Sequence, residues 1–581
     1  MERLVRVLVL LLAMVCLPWG TGCGPRSALP GIAVAVPPDA SGTEPGPIGN
    51  ALTVTGLLQY QKIVVTVNAQ GQVTNKSTVN FPIRFADVLA LDGVTKAEIQ
   101  VQPCATDATG NFKLFVPKGK TFYVSVRAST SNSTSRANLA VHDPTTNAIQ
   151  RVDFVDKTTG QPFNPPAGTT SMTVTGDPIP ASPSSERPSG IFNILDAGLV
   201  ASDKVRDVRG SPLDLLRFFW TNVDTAVSLS GSYFVSSDTQ GLPAVFIRGG
   251  SNSDTGNTDE FDDPIIDHEY GHFVLFRISR DQSLGGGHYV GDYLYPTLAW
   301  SEGFSDCFAG ISLGQPLIYD IVGITGPAPT AGVLNLEGGR PAGSNRGIKV
   351  EASVAEVVWD LVDGAENRPN SDNEQYNLTF AQIYSALVAL RAKSVYTTVE
   401  DFLTALVNDV QPAPISAANV TSLVTTTPEP QGMTFPPTGD DVFPPALVFG
   451  DTRNTSCVTR NTGQESLTGT EVTNRFYKFT VAAQQSVTVN VSVASPWAGT
   501  NANGSNIDLY VLTLDNAFAL STTGIALTPE PRPEAIQETG TGTLAQGDYI
   551  IYVNGRPNIS TGVLTNTASN TVTFRLSLTS P

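Results

Sequence analysis

Two histidines four positions apart, with a glutamate directly after the first, stand at His268, Glu269 and His272. On a helix such residues lie one turn apart on the same face, so both imidazoles can reach a single tetrahedral zinc ion. Glu269, next to the first ligand, is then placed to accept a proton from a zinc-bound water whose pKa the metal brings towards neutrality. Lewis acid and general base would come from one helical turn, and the chemistry is metal-assisted hydrolysis of a polarised carbonyl. The whole chain holds only four histidines, and two of them bracket a glutamate at ligand spacing, which sets the motif apart from an idle pair on an exposed helix. His142 stands in an alternating stretch far upstream and is expected to be structural.

Two imidazoles leave zinc one protein ligand short. Glu302, in the run AWSEGFSDCFAG, is the best candidate for the third, and His288, in the run LGGGHYVGDY, is the other. The first run resembles the gluzincin, or thermolysin-like, metallopeptidase pattern, in which a downstream helix gives a glutamate ligand and, one turn later, an aspartate. The resemblance implies that Glu302 ligates zinc and that Asp306 accepts a hydrogen bond from His268, fixing its tautomer and raising its basicity. It leaves His288 to orient substrate or stabilise the oxyanion, with ligation in place of Glu302 as the alternative. Thermolysin-like enzymes carry a transition-state histidine well after the glutamate ligand, and here no histidine follows His288. Arg340, Arg346, Tyr289 and Tyr295 are the donors that would replace it. The resemblance covers residues 264–306.

The elements that must position these residues can be read around them. Asp262 and Asp263 before Pro264 predict a helix start, and the segment runs to about Ile278 with Ile265, Ile266 and Phe273 on its apolar face. A second helix is expected over 298–311, stopped at Gly314, and a third over 350–362 with Val354, Val357, Val358 and Leu361 facing inward. Thr397 and Glu400 read as a capping box ahead of Phe402, Leu403 and Leu406. Residues 191–200 and 213–219 also read as helices, and 244–248 as a buried strand. The segment 243–248 fits an edge strand on which an extended peptide aligns, an internal strand being the alternative. The acidic stretch 249–263 would cover the cleft or hold a structural cation, although its spacing is not that of a known calcium loop. Together, residues 190–410 predict a zinc metallopeptidase-like domain, mainly helical α+β and zincin-like.

Alternation of period two governs the flanks. Residues 51–160 predict an N-terminal β-sandwich; the run TDATGNFKLFVPKGKTFYVSV resembles carboxypeptidase-regulatory-like modules. A strand pair at 138–142 and 150–154 should extend it, and 161–189 reads as a Pro, Ser and Thr-rich linker. After a Pro-rich connection at 411–446, residues 447–581 predict a C-terminal antiparallel β-sandwich. The ordered runs RFYKFTVAAQQSVTVNV, NIDLYVL, LAQGDYIIYV and TFRLSL resemble the bacterial pre-peptidase C-terminal domain, which implies company with secreted peptidases. The expected fold class is therefore multidomain, with two β-sandwiches flanking the zincin-like domain.

Residues 1–22 have a short basic start and an apolar run, as in a secretory signal peptide. Gly20, Thr21, Gly22 and Cys23 resemble a lipobox, so Cys23 is expected to be lipidated, with residues 23–50 as a Pro/Gly-rich tether. Of five cysteines, Cys104, Cys307 and Cys457 remain, in three separate segments, and give no disulfide framework. Charged residues make up 15% of the chain and the net charge is −18, which disfavours nucleic acid as a partner. The reading is a lipid-anchored zinc peptidase of the bacterial cell envelope or exterior, acting on protein or peptide substrates and attached to the membrane through its lipid. The alternatives are an inactive metallopeptidase-like lipoprotein for binding or adhesion, and a zinc hydrolase of non-peptide bonds.

Overall fold

The computed structural model describes residues 51–580 except 69, 183–186, 223–230, 250–257, 284, 286–287, 325–327, 339, 341–342, 365–375, 394–396, 427–430, 439–444, 460–473, 494–505, 514–525, 528–536 and 557–569. The signal-like start, Cys23 and the tether fall outside the described residues. The chain is multidomain and mixed α/β.

The N-terminal part holds β1 (Ala51–Leu57), β2 (Gln59–Val67), β3 (Val73–Pro82), β4 (Asp87–Asp92), β5 (Asn111–Pro117), β6 (Phe122–Arg127), β7 (Leu139–His142), β8 (Arg151–Phe154) and β9 (Ser171–Thr175). They form the sheets β5-β1-β9, β2-β3 and β4-β6-β8. Alternation explains β1, where Leu52 and Val54 are buried between the partly exposed Ala51, Thr53 and Thr55. The turn before β5 is built by Asp107, whose carboxylate accepts the backbone N–H groups of Thr109 (2.8 Å) and Asn111 (2.9 Å).

The expected strand pair at 138–142 and 150–154 is divided between two sheets. β8 pairs with β6, but β7 lies parallel to β10 (Leu216–Phe219). A four-stranded sheet results, ordered β11 (Tyr233–Val235), β12 (Ala244–Phe246), β10, β7. Residues 213–219, expected to be helical, therefore supply a strand; all four residues of β10 are buried, as in a strand covered on both faces. β12 is internal, and the antiparallel β11 is the edge, so the edge assignment of 243–248 is corrected by one strand.

Helix α1 (Gly190–Arg209) is longer than expected and ends at Gly210 in the left-handed region (φ 80°). Helices α2 (Asp263–Ile278) and α3 (Pro296–Leu313) both open on a proline near their first position, and α3 stops at left-handed Gly314. A hairpin of β13 (Leu317–Val322) and β14 (Thr330–Asn335) follows, then α4 (Glu351–Asp360), α5 (Phe380–Arg391), α6 (Val399–Asn408) and α7 (Ala417–Thr426). The capping box of α6 is Thr398 with Asp401, one residue after the expected pair.

One apolar core runs from Leu52 and Val54 of β1 through Ile194, Ile266 and Leu298 to Val420 and Leu423 of α7. Packing does not break at 161–189. The C-terminal part has two sheets, β15 (Thr452–Thr459), β22 (Asn570–Thr579), β17 (Gln485–Val493), β20 (Gln537–Leu544), β19 (Ala526–Leu527), and β16 (Asn474–Val481), β21 (Gly547–Arg556), β18 (Asn506–Thr513). Their pairings are all antiparallel. Val487, Val489 and Leu576 from one sheet and Phe479, Leu509 and Ile551 from the other share one core.

Candidate metal centre

Helix α2 carries His268, Glu269 and His272, and α3 carries Glu302 and Asp306. What brings the two helices into contact is Gly271, inside the motif itself. A Cβ there would stand 2.8 Å from the Cα of Ser305 on α3, closer than side chains approach a backbone. Gly303 does the same on the far side of α3, where a Cβ would meet the Glu351 carbonyl oxygen at 2.7 Å. Two hydrogen-sized positions thus draw α2, α3 and α4 together at the level of Glu302.

The result is a tight donor cluster. The Nε2 atoms of His268 and His272 lie 3.2 Å from each other and 3.2 Å from the same Glu302 oxygen, Oε2. Among the described residues, His268, His272 and Glu302 form one group able to share a cation. Ligand atoms around a tetrahedral zinc, at Zn–N distances of about 2.0–2.1 Å, stand roughly 3.3 Å apart. The nitrogen and oxygen donor set and its spacing fit zinc.

Both imidazoles are held from behind. His268 Nδ1 lies 2.8 Å from Asp306 Oδ1, and His272 Nδ1 lies 3.0 Å from Ser301 Oγ. Behind it stands the buried carboxylate of Asp281, which feels both His272 and Ser301 and accepts the backbone N–H of Ser283 at 3.1 Å. With each Nδ1–H donated outward, each Nε2 presents its lone pair to the cluster. Phe234 of the edge strand β11 stacks on the His272 ring at 6.4 Å between centroids.

The electrostatics match a cation site. Burial opposes charge on His268, but Asp306 and then Glu302 outweigh it and hold the imidazole well above its ordinary pKa. His272 is raised by Glu302 against the same burial. Burial works to raise Glu302, yet the neighbouring histidines hold it well below the usual carboxylate range. Glu269 is raised, first by burial and then by the negative charge of Glu302 and Asp306, with the histidines acting the other way. Its Oε2 is buried with no hydrogen-bond partner among the described residues. A buried carboxylate with one oxygen to spare and a raised pKa is suited to holding a proton in transit.

His288 sits at the margin of this group. Its Nε2 is 4.0 Å from Glu302 Oε2 and 3.3 Å from Glu351 Oε2, so the structure brings it to the site but not into the donor cluster, where Glu302 stands instead. Glu351, at the start of α4, is buried and its carboxyl is pushed up to about 7, by burial first and by Asp306 and Glu302, against the pull of His288. The substitute donors fare differently. Arg340 is committed to Glu356 through two 2.7 Å bonds, and to Ser353 and Gln431. Arg346 reaches Gln431, the Tyr295 hydroxyl donates to the Gly285 carbonyl at 2.8 Å, and Tyr289 is exposed.

Four residues at the site escaped the sequence reading: Gly271, Asp281, Ser301 and Glu351. Gly271 carried a signal, a helix-weakening residue inside a motif helix; Glu351 carried a fainter one, an acid opening the mostly apolar helix EASVAEVVWD. His142 is buried in the sheet, with Nδ1 2.9 Å from the Asn147 carbonyl oxygen, and has no part in the site. Cys104 and Cys307 are both buried.

No family model matches the chain, and no curated protein matches it. Among solved structures, 23% of the chain matches 92% of the pre-peptidase C-terminal domain of a collagenase from Bacillus anthracis, with 13% sequence identity and a TM-score of 0.15. A likeness of that size carries no argument about function.

Proposed function

We propose that the chain is an extracytoplasmic zinc-dependent peptidase whose metal is held by His268, His272 and Glu302. The observation that carries this reading is the convergence of two Nε2 atoms and one carboxylate oxygen at mutual distances of 3.2 Å, beside a buried glutamate with an unpartnered oxygen. When bound, zinc supplies a Lewis acid that polarises the scissile carbonyl and acidifies water. Glu269 takes a proton from the attacking water as the C–O bond forms, then delivers it to the amine nitrogen as the C–N bond breaks. His288, whose Nε2 faces Glu302 and Glu351 at the margin of the cluster, donates to the developing oxyanion. β11, the edge strand of its sheet among the described residues and next to His272 through Phe234, offers backbone groups to an extended peptide.

In this reading the region around the site is zincin-like and gluzincin-like. The flanking sheets form two β-sandwich modules, the last of the pre-peptidase C-terminal type. Lipidation at Cys23 would anchor the enzyme to a bacterial envelope membrane, with protein substrates and no nucleic acid as partners.

The test is metal analysis and hydrolysis of casein and a quenched peptide library, with and without chelator, by wild type and Glu269→Gln. Wild type should carry one zinc and lose activity to chelator. The Gln variant should keep zinc and lose turnover by about 10²–10⁴-fold, the usual worth of a positioned acid–base group. Absence of zinc from both, or equal hydrolysis by both, overturns the reading.

A further inference from the structure

A second acidic cluster lies at the entrance to α2, away from the histidines. Asp259 and Asp262 come from the segment that leads into the helix, and Asp320 comes from β13. One oxygen from each lies within 4.8 Å of the other two. Asp259 is 2% exposed and Asp262 is fully buried. Around them stand Phe261, Ile321 and Ile324, part of a small apolar core shared with Ile63 and Val67 of β2.

Each of the two buried carboxylates is held by one oxygen only. Asp259 Oδ2 accepts the Ser232 hydroxyl at 2.6 Å, and Asp262 Oδ2 accepts the Ile321 backbone N–H at 2.8 Å. The other oxygen of each, Oδ1, is buried without a hydrogen-bond partner among the described residues. Asp262 occupies the N-cap position of α2, where a carboxylate ordinarily takes the helix's own N–H groups, yet makes no such bond. Its side chain is turned to β13 instead. Buried carboxylate oxygens left unpaired are costly unless a cation or a proton meets them.

Arg248 acts on Asp259, while the adjacent Glu260 is already matched by the buried Arg187. Burial, and then Asp320, push the Asp259 carboxyl up to about 8, and burial and Asp259 push Asp262 well above the carboxylate range. An all-oxygen donor set selects a hard cation over zinc. Calcium–oxygen distances of about 2.3–2.6 Å allow ligand oxygens up to roughly 5 Å apart, which accommodates the separations seen.

We propose that Asp259, Asp262 and Asp320 form a second metal site, for a hard divalent cation of the calcium class, which fastens the entry to the metal-bearing helix to the β13–β14 hairpin. The site does not depend on the peptidase reading, since its donors and its readout are separate from catalysis. The test uses the full chain, passed over chelating resin and checked to retain its zinc content, with equilibrium dialysis against radioactive calcium and thermal melts in zero to millimolar calcium. Wild type should take up calcium and melt at a higher temperature as it binds. Asp259→Asn and Asp320→Asn, which keep side-chain size, should each bind one calcium fewer at a concentration that saturates wild type. Their melting temperatures should no longer respond to calcium, with zinc content unchanged. Wild type that binds no calcium at millimolar concentration overturns the proposal and assigns the cluster to shared protons. Variants that bind as much calcium as wild type overturn it equally, and place the ion elsewhere.

Discussion

Asp306 and Ser301 touch the histidines from behind, on the nitrogen that faces away from Glu302. Asp306→Asn should therefore weaken zinc binding by about 10–100-fold, measured by competition with a chromogenic chelator, because outer carboxylates tune ligand basicity on that scale. Ser301→Ala should act in the same direction and less, since Ser301 is neutral. His288→Ala should keep full zinc and lower kcat by about 10²–10³-fold, the worth of a single oxyanion donor. At this scale the sequence was most informative where spacing alone fixes geometry. His268, Glu269 and His272 share a face by helical period, whereas Glu302 and Asp306 were reached through the resemblance of the run AWSEGFSDCFAG to the gluzincin pattern. Asp281 and Glu351 could not be found so, because their partners Ser301 and His288 lie on other elements and only the fold makes them neighbours.

Helices α2 and α3 meet through Gly271, and the closeness of that contact has a price in tolerance. Gly271→Ala forces the Ser305 backbone away, so the protein should lose about 1–3 kcal/mol of stability, as overpacked cores do, together with zinc, read by melting temperature and metal content. The Asp259 cluster should show itself through pH. A carboxyl whose pKa is higher folded than unfolded keeps its proton longer in the native chain, so stability falls as pH rises from the unfolded value. For Asp259, pushed up to about 8, calcium-free protein should melt progressively lower from pH 5 to pH 8. Saturating calcium should flatten that slope, and so should Asp259→Asn without calcium. Two elements were misread for reasons visible in their neighbours. Residues 213–219 (LDLLRFF) do not alternate, because β10 is covered on both faces and flanked by β7 and β12, while Asp214 and Arg217 fall three positions apart, a spacing that imitates the polar face of a helix. The capping box of α6 slipped by one residue because Thr397 and Thr398 are adjacent, as are Glu400 and Asp401. Thr397 is taken by Gln282, which leaves Thr398 and Asp401 to close the helix.

At the scale of the whole molecule the sequence separated β-rich ends from a helical middle, and the composition shifts at 161–189 and 411–446 suggested where. It could not show that β7 crosses that first line to pair with β10, since strand pairing over such a distance leaves no local trace. Lys62 of β2 also forms an ion pair with Asp263 at the start of α2, and Arg84 with Asp196 of α1 at 2.5 Å. A chain beginning at residue 190 lacks β7 and both cations, and should be recovered as insoluble or molten material, judged by near-ultraviolet circular dichroism. The same strand has a bearing on maturation. A protease that nicked the chain between 161 and 189 would not release an N-terminal piece, because that piece still supplies the outermost rung of the sheet beneath the histidines. Such a molecule would run as two bands on a denaturing gel while eluting as a single undivided particle.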